Sequence, residues 1–249
     1  MTPISSRANP HFKAWLRLVD DVSARLSSQQ ALLYGHHLVE MFVSTTGAPK
    51  AFLYSQATPL DMLAPLLATY PKVAQFSLTP SLFSALSRVS HGHDLMAWID
   101  IPQRPPPSEP QCALFIENIQ DPGNLGSILR SAALAGVDVV YLSADCTDAW
   151  SPRALRGGQG AQCLLPLVRD ASADVVCSNF QGIVYATSPQ GESLYARDLS
   201  RSALFLVGNE GAGLQEQTMR HAHVRLRIPM VDCGCLESLN VATATALCL

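Results

Sequence analysis

The sequence predicts an α/β protein of two domains: a small α/β domain over residues 1–101, a proline-rich linker over residues 102–110 and a parallel-sheet α/β domain over residues 111–249. Three observations predict it. The chain has 249 residues, more than one hydrophobic core usually organises. The stretch PQRPPPSEP holds five prolines in nine residues, a density that prevents both helix and central strand. Beyond it, short apolar runs alternate with helical periodicity, the pattern of parallel strands joined by crossover helices.

Composition narrows the function classes. Hydrophobic residues make up 48% and charged residues 15%, which excludes wholesale disorder. No apolar run approaches the roughly 18 residues that would cross a bilayer. The opening MTPISSRANPHFKAWLRLVDD lacks the apolar core of a secretory signal. The expectation is a soluble cytoplasmic protein with no membrane partner. The seven cysteines are an odd number with no CxxC pair, against a disulfide scaffold or zinc ribbon, so no metal is expected. The net charge of −3 carries no global basic field for nucleic acid, and partners must be read from local sites. Residues 1–110 carry 8 Lys+Arg against 7 Asp+Glu, and residues 111–249 carry 9 against 13. All three lysines lie in the first half, so every permanent cation of the second is an arginine, whose planar fork grips phosphate or carboxylate.

Along the first domain, PHFKAWLRLVDDVSARLSSQQALLYGHHLVEMFVST reads as helical spacing and KAFLYS as a short strand. PLDMLAPLLATY, VAQFSL, PSLFSALSRVS and DLMAWIDI then alternate in texture. His36 and His37 fall in the second predicted helix with no partner pattern. In the second domain CALFIEN, VDVVYLS, GIVYATS, ALFLVGN and VRLRIPM read as strands. The stretches LGSILRSAALAG, SPRALRGG, LQEQTMRHA and NVATATALCL read as helices.

Three loops carry candidate chemistry. In the first, Asp121, Pro122, Gly123 and Asn124 form a turn with Asn124 at the expected N-cap. Leu125, Ile128, Leu129, Ala132 and Ala133 follow as a buried stripe that Gly136 ends. Arg130 lies off that stripe, and a side chain leaning toward the helix N-terminus can reach back toward the loop of Asn124. A solvated arginine is the equal alternative on spacing alone. In the second, an apolar strand runs into Gly208, Asn209, Glu210, Gly211, Ala212 and Gly213. Its three glycines allow close backbone approach to a ligand at the strand end, where α/β sheets bind. In the third, Pro229 halts a strand, a Cys233-Gly234-Cys235 loop follows, and Glu237, Ser238 and Asn240 open the last helix with Ser238 as the natural cap.

Taken in order, ENIQDPGNLGSILRSAALAG, LFLVGNEGAGL and IPM…ESLNVA closely resemble the three signature motifs of the SpoU class of SPOUT RNA methyltransferases. The resemblance covers residues 112–249. It implies a C-terminal domain closed by a deep trefoil knot, a rare exception to unknotted topology. S-adenosylmethionine is then held in the knot, and a homodimer's active sites draw on both subunits. It places the family's catalytic residues on Asn124, Arg130, Glu210, Ser238 and Asn240. The adenosine pocket falls on Leu206, Gly208, Gly213, Ile228, Met230, Ser238 and Leu239. Arg130, Arg153 and Arg156 become candidates for RNA contact. The first domain is similar to the ribosomal-protein-like substrate-binding domain of many members, with YGHHLVEMF at their early helix. Gly158 stands where the family usually has serine in its RxSxGA segment.

The implied reaction is methyl transfer to a ribose 2′-hydroxyl of a structured RNA, ribosomal RNA rather than transfer RNA. An unpaired loop or bulge would present that hydroxyl unstacked. A transfer RNA methyltransferase, or an RNA-binding protein that keeps the knot without catalysis, stays open at this point. A nucleotide-dependent oxidoreductase would need GxGxxG after a first strand and is not met.

Overall fold

The computed structural model of the chain describes residues 1–87, 95–199, 201–231, 234 and 238–249. In chain order the elements are β1 (Thr2–Ile4), α1 (Pro10–Asp20), α2 (Val22–Ser28), β2 (Gln30–Tyr34), α3 (His36–Thr45), β3 (Ala51–Ser55), α4 (Leu60–Thr69), β4 (Ala74–Leu78), α5 (Pro80–Leu86) and β5 (Leu95–Asp100). They continue with β6 (Cys112–Ile116), α6 (Pro122–Leu134), β7 (Val139–Leu142), α7 (Pro152–Gly158), β8 (Leu167–Val168), α8 (Ala173–Asn179), β9 (Ile183–Ser193), β10 (Ala203–Val207), α9 (Glu216–Met219), β11 (Val224–Arg227) and α10 (Val241–Cys248). They divide into two compact units. One is Met1–Pro102 together with Trp150–Cys163; the other is Gln103–Ala149 together with Leu164–Leu249.

The first unit is built on a mixed sheet of order β1-β4-β3-β5-β2, in which β5 runs antiparallel to both its neighbours. Helix α1 starts cleanly because the Asn9 side chain accepts from the amides of His11 and Phe12 and Pro10 takes a position that needs no donor. It buries Phe12, Trp15, Leu18 and Val19 on one face, and these meet Leu32, Leu53, Phe76 and Met96 of the sheet. The stretch that sequence periodicity reads as helical through to residue 45 is broken. Gln29 turns left-handed (φ 52°) and residues 30–34 pair with β5 as a strand, so His36 and His37 open the third helix.

Arg25 of α2 is buried, and its guanidinium donates to the Leu18 and Val19 carbonyls, at 2.5 and 3.1 Å, near the end of α1. Those carbonyls belong to the last turn of α1, where acceptors lack helical partners. Arg25→Ala is expected to lower stability by about 1.5–3 kcal/mol, the range for charge-assisted hydrogen bonds. The check is a urea midpoint that falls with an unchanged slope.

The second unit is a six-stranded sheet of order β11-β9-β10-β6-β7-β8, parallel at every pairing. Ala113, Phe115, Val184, Ala186, Leu204 and Leu206 form one buried face, with Val176, Cys177 and Met219 of α8 and α9 packed on it. Each such fully buried large apolar side chain contributes about 1.5–3 kcal/mol. Helix α6 ends in a Schellman motif: Gly136 is left-handed (φ 77°), and Val137 and Gly136 donate back to the Ala132 and Ala133 carbonyls.

After β11 at the sheet edge, the chain returns to lay α10 against α6 and β10. The unit has the expected trefoil-knot fold, and this return brings the third predicted loop to the first two. Burial pushes the Cys248 thiol of α10 from 9.0 up to about 11. Burial and the neighbouring Asp174 carboxylate do the same to Cys177. Neither is a thiolate at neutral pH, so neither is a ready nucleophile.

Candidate active site and cofactor cleft

The three loops meet in a line of hydrogen bonds. The Asn240 amide donates to Asn124 Oδ1 at 2.9 Å, and the Asn124 amide donates to Glu210 Oε1 at 2.7 Å. Each asparagine has its orientation set by this polarity, because Asn240 Oδ1 also accepts from the amides of Ala242 and Thr243. Asn240, not Ser238, is therefore the cap of α10, since its oxygen is the one that meets the free amides of the first turn. Likewise Asp121 caps α6, its Oδ1 accepting from the Asn124 backbone N–H at 2.9 Å. Asn124 itself sits inside the first turn, which frees its side chain to join the other two loops.

The second loop is held in shape by its own backbone. Asn209 and Gly213 exchange amide–carbonyl bonds of 2.9 and 3.0 Å, and Asn209 Oδ1 accepts from Gly211 and Ala212. Gly208 is required for space: a β-carbon there would stand 2.2 Å from the Gly213 carbonyl carbon and 2.3 Å from the Leu214 nitrogen. Gly213 is required for conformation, at φ 70°.

This loop walls a cleft with Gly208, Glu210, Gly213, Ile228, Met230, Ser238 and Leu239 all on its lining. Leu206 is elsewhere, fully buried in the sheet core, with its carbonyl accepting from the Thr187 hydroxyl at 3.2 Å. Sequence reading missed Thr187, Ser188 and Pro189, which also line the cleft. They lie in a bulge of β9: pairing with β11 jumps from Ala186 to Glu192 while β11 advances only from Arg225 to Leu226. Pro189, directly after the predicted strand GIVYATS, was the available signal, because proline at a strand marks edges and bulges.

Arg130 stands exposed on α6, and among the described residues it has no hydrogen bond or ion pair and does not line the cleft. No hydrogen bond joins it to Asn124. Arg153 and Arg156 are exposed on α7, a segment of the first unit, where Arg156 borders a cleft with His36, His37 and Gln159. Gly158 has a local reason: the Gln162 amide oxygen lies 2.3 Å from where a β-carbon would be, filling the space a serine would need. Cys233, Cys235 and Glu237 lie outside the described residues. Among the described residues no cluster of His, Cys, Asp or Glu could hold a metal ion, and no helix is long and apolar enough to cross a membrane.

The SpoU rRNA methylase family model matches residues 111–249. The chain is 32% identical to an uncharacterised tRNA/rRNA methyltransferase of Synechocystis, over 99% of this chain and 91% of that one. It is 31% identical to the 23S rRNA (guanosine(2553)-2′-O)-methyltransferase RlmP of Bacillus subtilis, over 99% and 97%. Its fold is similar to that of the SpoU methyltransferase AviRb from Streptomyces viridochromogenes in complex with the cofactor AdoMet. That likeness has a TM-score of 0.86 at 23% identity and covers 96% of this chain and 95% of that one. Both the knotted unit that gathers the three loops and the end-to-end relatives lead to one conclusion: the chain belongs to the SpoU rRNA methylase family.

Proposed function

We propose that this chain methylates a ribose 2′-hydroxyl of a structured RNA, ribosomal rather than transfer RNA, with S-adenosylmethionine as donor. The observation that carries the reading is the hydrogen-bonded line from Asn240 through Asn124 to Glu210, which ends at the wall of the glycine-lined cleft. The cleft fits the donor. Gly208 and Gly213 present bare backbone, and Ile228, Met230 and Leu239 supply apolar surface for a flat base. When bound, the donor supplies an activated sulfonium methyl.

The protein's own residues must position the hydroxyl and ease the departure of its proton. A guanidinium with pKa above about 12 is no conventional base. Arg130 therefore grips the adjoining phosphate and stabilises the developing alkoxide, while the proton leaves through phosphate or water. Asn124 and Asn240 hold Glu210 and the second loop in place, and Ser238 shapes the wall between donor and nucleotide. Arg153 and Arg156 contact RNA phosphates, and the unit built on residues 1–101 recognises the substrate. A homodimer is supported by large apolar side chains left exposed at the C-terminal ends of α6 and α10, Leu134 at 81% and Leu247 at 43%. The protein works in the cytoplasm, where ribosomal RNA is modified.

Ribosomal RNA is favoured because a relative matched over 97% of its length is named a 23S rRNA 2′-O-methyltransferase. The test is a map of ribose methylation in total RNA from cells with and without this chain. One ribosomal position is expected to lose its methyl group. A change confined to transfer RNA reassigns the substrate, and an unchanged map overturns the reading.

A further inference from the structure

We propose that Glu117, the residue that ends β6, is a positioning residue that clamps both ends of the glycine loop at residues 208–214, and through that loop sets the cofactor cleft. Its carboxylate is buried at 5% exposure, yet it does not line the cleft and has no cationic partner among the described residues. Both oxygens are spent on the segment just after the loop. Oε2 accepts from the Gln215 amide at 2.6 Å, and Oε1 accepts from the Thr218 hydroxyl, itself buried. The Glu117 amide meanwhile donates to the Val207 carbonyl at 2.8 Å, just before the loop. One residue thus holds the entry by its backbone and the exit by its side chain.

The next residue adds a third tie. Asn118 is left-handed (φ 55°), which turns its carbonyl to accept from the Asn209 amide group at 2.9 Å. Between these anchors lie Gly208, Glu210 and Gly213, the loop's contribution to the cleft. A buried carboxylate served by neutral donors alone is costly, because desolvation is offset only by those bonds. Its acceptor geometry is what the site uses: two oxygens receive two donors from one short stretch. Glutamine can reproduce this, because its oxygen still accepts from Gln215 while its amide donates to Thr218, whose hydroxyl then acts as acceptor.

The clamp itself is tested without any ligand, and only its consequence for binding rests on the methyltransferase reading. Thr218→Val keeps the side-chain volume and removes one bond. In the full chain, hydrogen exchange at the Asn209 and Gly213 amides is expected to speed up by about tenfold. Calorimetry is expected to show affinity for S-adenosylmethionine falling about tenfold, the worth of one such bond, with kcat at saturating donor within about twofold. Glu117→Leu should show the larger loss of affinity and Glu117→Gln should recover most of it. Unchanged exchange in Thr218→Val overturns the clamp. So does a fall of affinity and kcat together in step with melting temperature, which marks a merely structural role. A wild-type chain that binds no S-adenosylmethionine sinks the methyltransferase reading instead, while the exchange rates still decide the clamp.

Discussion

Arg130→Ala is expected to lower single-turnover methyl transfer by about a hundred- to a thousandfold, the usual loss when one donor to developing negative charge is removed. Affinity for S-adenosylmethionine should not change. Two features of the structure separate these effects. Arg130 is exposed and makes no hydrogen bond or ion pair among the described residues, so its removal takes nothing from the fold. It is also absent from the lining of the cleft, so the donor loses no contact. Calorimetry and a single-turnover assay on the same preparation make the comparison. Near-normal turnover would remove Arg130 from the mechanism. Loss of donor binding would assign it to the cleft and contradict its position on α6.

Gly208→Ala is expected to cost about 1–3 kcal/mol of stability through overpacking. It should also weaken S-adenosylmethionine binding by more than about a hundredfold, because the loop must open to admit the new carbon. The neighbours within 2.4 Å of that carbon are backbone atoms of Gly213 and Leu214, so no side-chain rotation relieves the clash. Among them the Gly213 carbonyl also closes the loop by accepting from the Asn209 amide. Gly211→Ala is the matched control, since its β-carbon would meet only Asn209 Oδ1 at 3.6 Å, an ordinary contact. A thermal melt and calorimetry on both variants decide the matter. Normal binding by Gly208→Ala would show that this loop does not form the donor's wall.

The positions of the two variants mark where sequence reading is strong and where it stops. Leu125, Ile128, Leu129 and Ala132 repeat at helical spacing and are all buried, so the face of α6 and the outward place of Arg130 follow from periodicity. The cap of that helix does not follow. Asp121 and Asn124 are both good caps by residue type, and the choice rests on which oxygen reaches the free amide, a matter of about an ångström. Ser238 and Asn240 pose the same ambiguity, and it resolves the same way, by geometry at the amides of Ala242 and Thr243.

Other features were hidden because they depend on residues far along the chain. The family resemblance placed Leu206 in the adenosine pocket but could not show that neighbouring strands and helices enclose it. The β9 bulge that puts Thr187, Ser188 and Pro189 in the cleft exists only against β11. The segment Trp150–Cys163 joins the first unit although its neighbours in sequence belong to the second. Glu117 gives no sign of its clamp until residues about a hundred positions later fold back upon it.

By itself the sequence determined the alternation of strands and helices, the glycine turns and the chemical types at Asn124, Arg130, Glu210 and Asn240, because these depend on spacing and side-chain chemistry within a few residues. Only the tertiary structure decided which of those groups touch. Hydrogen bonds between Asn240, Asn124 and Glu210 join positions 116 and 86 residues apart, and the first of them forms only once the last helix has returned to lie on α6. Local preferences act over one or two turns of chain, whereas a hydrogen bond requires its atoms within about 3 Å wherever the chain has carried them.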